Sequence, residues 1–356
     1  MPNNTEDNLL SEIRKCKLCR SCEDVCSIFL TLKKYAPHEK LETVKNLAAS
    51  SEKPLNWESV FFCTKCEACD VKCPEEIPIT MIIDLGRRLC VDKWGLQYTR
   101  QKDIIANIFK FGNPFGNAES RTEWLNASIS NDSNTLLHLG CMISYPLNKM
   151  GQSIIKILKK LNIDFTISPN ERCCGYFCYN TGNHQAAQQI IDQNVEEFDQ
   201  YEHIITTCAG CYTFLKDYYP LKSQLKHVIE VIFEKVEELG FIEKLKEKTA
   251  VFQDSCHISR LHKIIEPPRK LLEAMKFQIY EFDKALCCGA DGGMRIINKE
   301  LALEVGKGRL LEAKEKSNLL LTLCPFCIHN FREAAETYAI DIQIASIFEI
   351  LEDLIP

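Results

Sequence analysis

The chain has 356 residues, 46% of them apolar, a net charge of −6 and 20 cysteines. That length supports two or three domains, and the acidic balance gives no electrostatic grip on nucleic acid or anionic lipid. The opening MPNNTEDNLLSEIRK lacks the apolar core of a secretory signal, and no apolar run reaches the ~18–20 residues that span a bilayer. The expectation is a cytoplasmic protein with reduced, metal-binding thiols, reaching a membrane only peripherally through a partner protein.

Residues 1–95 carry eight clustered cysteines, with a helix expected over LETVKNLAAS between the two groups. Cys-x2-Cys-x2-Cys-x3-Cys occurs at 16–26 (CKLCRSCEDVC) and again at 63–73 (CTKCEACDVKC). This is the run of bacterial two-cluster ferredoxins, in which the fourth cysteine of each motif ligates the other cluster. The spacing therefore assigns one [4Fe–4S] cubane to Cys16, Cys19, Cys22 and Cys73, and a second to Cys63, Cys66, Cys69 and Cys26. Four thiolates per set would also satisfy zinc, but zinc sites rarely use this doubled spacing. Pro74 follows the second motif as expected, whereas Ser27 stands in the proline position after the first.

Residues 96–133 read as a basic helix (YTRQKDIIANIFK) followed by the turn-rich linker FGNPFGNAESRTEWLN. Beyond residue 134, short apolar runs (TLLHLGC, HIITTCAGC, AVFQDSC, NLLLTLCPFC) alternate with helical patterns such as NKMGQSIIKILKKL and NKELALEVGKGRLLEAKEK. Such alternation predicts parallel sheets with helical crossovers, whose ligands gather beyond the carboxyl ends of the strands. The expected fold is α+β and multidomain. A helical ferredoxin-like domain (1–95) and a helical linker (96–133) precede two duplicated α/β domains (134–245 and 246–356).

The duplication shows in the cysteines. Cys141, Cys173-Cys174-Gly175 and Cys208-x-x-Cys211 recur as Cys256, Cys287-Cys288-Gly289 and Cys324-x-x-Cys327, offset by 114 to 116 residues. Five thiols converging twice exceed what a disulfide or a zinc ion needs, and they point to iron–sulfur redox chemistry.

These motifs, together with GNPFG and the following Trp124, FQDSCHISR, EPPRKLL at 266–272 and CCGADGGMR at 287–295, resemble heterodisulfide reductase. The similar form is the one that fuses the ferredoxin-like and catalytic subunits. The resemblance implies that Cys141, Cys173, Cys174, Cys208 and Cys211 hold one non-cubane [4Fe–4S] cluster, and that Cys256, Cys287, Cys288, Cys324 and Cys327 hold another. It implies reductive cleavage of a disulfide, that of coenzyme M and coenzyme B or a related thiol pair, with electrons from a flavoprotein or a membrane b-type cytochrome. Similar paired domains occur in iron–sulfur subunits of glycolate, lactate and glycerol-3-phosphate oxidoreductases, which imply an electron relay toward quinone instead.

Among the remaining residues, His257 could donate a proton to a nascent thiolate or hydrogen-bond to a cluster ligand. Arg295 could bind a substrate anion or form a surface salt bridge. Gly175, Gly289, Gly292 and Gly293 suit close approach of the chain to a bulky cluster. Cys90 and Cys178 fall outside the motifs and read as packing residues, as do His138, His184 and His262. No P-loop or dinucleotide fingerprint is present, so flavin and nicotinamide are expected on another subunit.

Overall fold

The apolar runs become parallel strands in the computed structural model, which describes residues 5–125, 129, 132–239 and 248–355. Strands β1 (Thr135–His138), β2 (His203–Thr206) and β3 (Gln224–His227) form one sheet in that order. Strands β4 (Lys248–Gln253), β5 (Phe277–Tyr280), β6 (Leu319–Thr322) and β7 (Gln343–Ser346) form a second sheet, ordered β5-β4-β6-β7. Leu136 lies opposite Ile204, and Val251 opposite Leu320, all four fully buried. Parallel pairing needs long crossovers, and the helices between the strands supply them.

By contact the chain divides into two compact units, neither continuous in sequence. One comprises residues 1–106, 175–188 and 283–309; the other comprises 107–174, 189–282 and 310–356. The expected boundary between residues 245 and 246 lies outside the described residues.

The first unit is helical. Helices Pro37–Ala49 and Ile79–Asp92 pack through Leu41, Val44, Leu47, Ile82 and Ile83, joined by Val60 and Phe61. A smaller core brings Ile28 together with Met294, Leu301, Ala302 and Val305. At the centre lies Arg87, fully buried. It donates hydrogen bonds to the carbonyls of Val60 (2.8 Å), Cys63 (2.6 Å), Asn180 (2.6 Å) and Gly292 (2.8 Å), with a longer one to Phe61 (3.4 Å).

The second unit contains both sheets. Helix Asn148–Lys160 turns Met150, Ile154, Ile157 and Leu158 inward and packs against helix Ile347–Leu354. Ser153 Oγ donates to Glu352 across that contact (2.6 Å). Among the described residues no helix is long and apolar enough to cross a membrane.

His227 ends β3 and caps helix Val228–Glu234, its Nδ1 accepting from the Ile229 N–H at 3.3 Å. Complete burial depresses its pKa from 6.5 to about 3. A histidine depressed in the folded state stabilises above its unfolded pKa, and that stability is lost as pH falls toward the folded value. Between pH 6.5 and about 3, acidification should therefore cost up to about 1.4 kcal/mol per pH unit from this residue alone. His227→Asn keeps an oxygen for the cap but does not titrate. Urea unfolding should show a shallower acid loss in this variant; an unchanged slope would refute the assignment.

Candidate functional site

The eight N-terminal cysteines lie on two loops wound in the same way. Leu18 and Arg20 flank Cys19 with φ of 54° and 63°, and Lys65 and Glu67 flank Cys66 with φ of 58° and 56°. Left-handed backbone at a non-glycine residue costs about 1–2 kcal/mol and concentrates at functional sites. Paying that twice in each loop sets three successive thiols along the wall of one cavity. Cys16, Cys19, Cys22 and Cys73 line one cavity. Cys26, Cys63, Cys66 and Cys69 line another.

Burial favours the neutral thiol at three of these cysteines. Burial pushes the Cys22 thiol up to about 11, and raises Cys26 and Cys69 as well, with Asp70 pushing Cys69 further. Lys40 opposes this at Cys26; its buried ammonium donates to the Phe62 carbonyl at 2.6 Å. Lys65, also buried, pairs with Asp84 and donates to the Thr80 carbonyl. The Lys65 N–H itself points at Cys63 Sγ at 3.4 Å. Buried sulfur donors with cations and N–H groups around them suit an iron–sulfur cluster, whose positive iron replaces the lost protons.

In the second unit the first five-cysteine set assembles where strands end. Cys141 opens the helical turn after β1, and Cys208 caps helix Ala209–Tyr218 after β2, which carries Cys211 in its first turn. Cys173 hydrogen-bonds with Cys141 and raises its thiol pKa well above the ordinary range, and Cys174 and Cys208 do the same to Cys211. A Cβ at Gly140 would sit 3.2 Å from Cys211 Sγ, and Gly140 has φ of 72°, so only glycine fits there. The adjacent cysteines are also held by their main chain. Asn194 donates to the Cys173 carbonyl (3.0 Å) and Tyr219 OH to the Cys174 carbonyl (2.6 Å).

A buried ion pair supports this set. Arg121 pairs with Glu171, and its Nη2 donates to Cys141 Sγ at 2.9 Å. Glu171 in turn accepts from the N–H groups of Leu139 (2.8 Å) and Gly140 (2.9 Å), at the end of β1. Burial alone would lower the Arg121 pKa, yet Cys141 and Glu171 beside it raise it. The guanidinium is therefore a permanent positive charge against the Cys141 thiol.

In the sheet-bearing unit, Cys256 opens the turn Cys256–Leu261 after β4, with its Sγ 3.5 Å from His257 Nδ1. Cys324 caps helix Pro325–Thr337 after β6, and Cys327 lies in that helix's first turn. In the helical unit, Cys287 and Cys288 are buried, and the Gly289 N–H points at Cys287 Sγ (3.4 Å). Gly292 has φ of 67°, and a Cβ there would lie 2.4 Å from the Cys63 carbonyl. Arg295 lies half-buried in the short helix Met294–Ile297. Cys90 and Cys178 are fully enclosed, their thiols pushed up to about 12 by burial. Among the described residues no group of three or more His, Cys, Asp or Glu side chains is gathered as a single metal ion would require.

The cysteine-rich domain family model matches residues 135–216 and 250–332, and the 4Fe-4S dicluster domain model matches residues 12–77. The chain is thus an iron–sulfur oxidoreductase subunit in which one dicluster domain precedes two cysteine-rich domains. Among its relatives, a subunit of the dihydromethanophenazine:CoB--CoM heterodisulfide reductase of Methanosarcina acetivorans is 27% identical, over 83% of this chain and 77% of that protein. A subunit of the fumarate reductase (CoM/CoB) of Methanothermobacter marburgensis is 24% identical, over 96% of this chain and 72% of that one. EtfAB:quinone oxidoreductase of Syntrophomonas wolfei is 26% identical, over 83% of this chain but 46% of that longer protein.

Sequence reasoning did not find Arg121, Glu171, Asn194, Tyr219, Lys40 or Arg87. Only Glu171 carried a signal, as a carboxylate two residues before a cysteine pair. Arg121→Gln should cost about 3–5 kcal/mol of stability, because it leaves the Glu171 carboxylate buried and unpaired. Denaturant unfolding of the anaerobic protein measures this, and a loss below about 1 kcal/mol, the value of an ordinary surface pair, would rule it out.

Proposed function

We propose that this subunit reduces a disulfide, RS–SR′ + 2 e⁻ + 2 H⁺ → RSH + R′SH, within an electron-transfer complex. The observation that carries this reading is that both five-cysteine sets are complete. A relay needs only a wire, whereas disulfide cleavage takes two electrons and leaves two thiolates. Two cysteine-rich nests provide two places at which single electrons can be delivered.

In this reading Cys16, Cys19, Cys22 and Cys73 hold one cubane, and Cys26, Cys63, Cys66 and Cys69 hold the other. Cys141, Cys173, Cys174, Cys208 and Cys211 hold one non-cubane cluster, and Cys256, Cys287, Cys288, Cys324 and Cys327 the second. When bound, the four clusters supply one-electron steps between an external donor and the disulfide. Arg121 places a positive charge against the Cys141 sulfur, His257 is in reach of the Cys256 sulfur as a hydrogen-bond partner, and Arg295 supplies a charge for an anionic group on the substrate. The donor is a flavoprotein or a b-type cytochrome, and the disulfide is that of coenzyme M and coenzyme B or a related thiol pair. The relative named as a quinone oxidoreductase favours one second reading, an electron relay from a flavoprotein dehydrogenase toward quinone.

Anaerobically purified protein should contain about sixteen iron and about sixteen sulfide per chain, four of each per cluster. Paired Cys173→Ser and Cys174→Ser changes should remove one non-cubane signal and abolish disulfide reduction by a reduced viologen, leaving the cubane signals in place. Full cluster loading without disulfide reduction, together with electron delivery to a quinone analogue, would replace this reading with the relay. Zinc in place of iron would end both.

A further inference from the structure

Ser27 is the one departure of the first cysteine motif from the ferredoxin run, and it sits next to Cys26. Its side chain is buried and makes two hydrogen bonds to a residue 260 positions away. Ser27 Oγ accepts from the Cys287 N–H at 3.0 Å and donates to the Cys287 carbonyl at 3.2 Å. A proline side chain could make neither bond.

Two other contacts inside the same compact unit fasten the same pair of loops. Arg87 donates to the carbonyls of both Cys63 and Gly292, and Gly292 lies against the Cys63 carbonyl so closely that a Cβ would not fit. Cys26 and Phe62 pack against the core formed by Ile28, Met294 and Val305. The nest containing Cys26 and Cys63 is therefore joined to the Cys287–Cys288 loop by side-chain, main-chain and apolar contacts.

We infer that Ser27 is the positioning residue that carries electrons from the Cys26, Cys63, Cys66 and Cys69 nest to the Cys287–Cys288 pair. This rests on the cluster assignments under the proposed function and adds a direction: the second Cys-Cys-Gly set is the one fed from the cubanes. From Cys26 the path is covalent through the Ser27 side chain to Oγ, and one hydrogen bond completes it to the Cys287 main chain. Each passage removes one electron from the Cys26 side and adds one at the Cys287 side. No bond at Ser27 forms or breaks, and its hydroxyl proton stays in place. Two passages supply the electron pair of the disulfide, drawn from the flavin or haem donor.

The test uses the anaerobic holoprotein with Ser27→Ala, Ser27→Pro and Ser27→Thr. After rapid mixing with dithionite, freeze-quench EPR should show several-fold slower electron arrival at the Cys287–Cys288 cluster in the alanine and proline variants. Iron content and midpoint potentials should be unchanged, and threonine, which keeps the hydroxyl, should restore the wild-type rate. In the full-length chain without clusters, hydrogen exchange at the Cys287 amide should speed up by about tenfold in Ser27→Ala, the effect of one lost buried hydrogen bond. Wild-type transfer in a fully loaded alanine variant would overturn the inference, as would unaltered protection of the Cys287 amide. Wild-type protein lacking iron at the second set would overturn the proposed function as well. The exchange arm needs no iron, so the two failures remain distinguishable.

Discussion

The helical unit depends on satisfying one buried charge. A guanidinium has five N–H donors and no acceptor, and its burial is tolerable only when those donors are met. Arg87 meets them with main-chain carbonyls from three segments far apart in sequence: 60–63, 180 and 292. A cysteine-bearing loop is thus fixed through its carbonyls rather than through its sulfurs. The arrangement also restricts its neighbours: a Cβ at Gly182 would lie 2.3 Å from the Arg87 carbonyl, at a φ of 82°. Polar saturation of Arg87 thus fixes the main chain at Cys63.

Charge compensation makes the two Cys-Cys-Gly sets chemically unlike despite their common origin. The first has Arg121 against Cys141, steadied by Glu171, which ties the ion pair to the end of β1. At the position matching Glu171, the second copy has Ala285. Its lone cysteine instead has His257 as a neighbour, with Nδ1 near the sulfur. A fixed cation thus stands beside the lone cysteine of one set and an imidazole beside that of the other.

Much of this was legible in the residues. The runs TLLHLGC, HIITTCAGC, AVFQDSC and NLLLTLCPFC form strands shortly before their cysteines; β2, β4 and β6 lie inside their sheets and β1 at an edge, and all four are largely buried, as parallel strands covered on both faces are continuously apolar. Strands β3, β5 and β7 were not visible. They begin the runs QLKH, FQIY and QIAS, lie at sheet edges, and leave Gln224, Gln278 and Gln343 exposed, so their pattern is that of a loop. The cysteine sets could be grouped from spacing, since the repeat is written in the covalent chain. Arg87, Arg121 and Ser27 could not be assigned, because their partners come from distant segments and a lone arginine or serine carries no local pattern. The segments 175–188 and 283–309 of the helical unit were hidden for the same reason: the first follows Cys174 and the second carries Cys287 and Cys288, so the repeat grouped both with the α/β domains.

The loop around Cys19 is the most solvent-facing of the cysteine loops: Cys19 itself is exposed, and Leu18 beside it is 67% exposed. Cys69, Cys173 and Cys288 are all enclosed. Such a contrast fixes where corrosion of the thiols starts: dioxygen and peroxide meet the outermost sulfur, Cys19, before the enclosed ones.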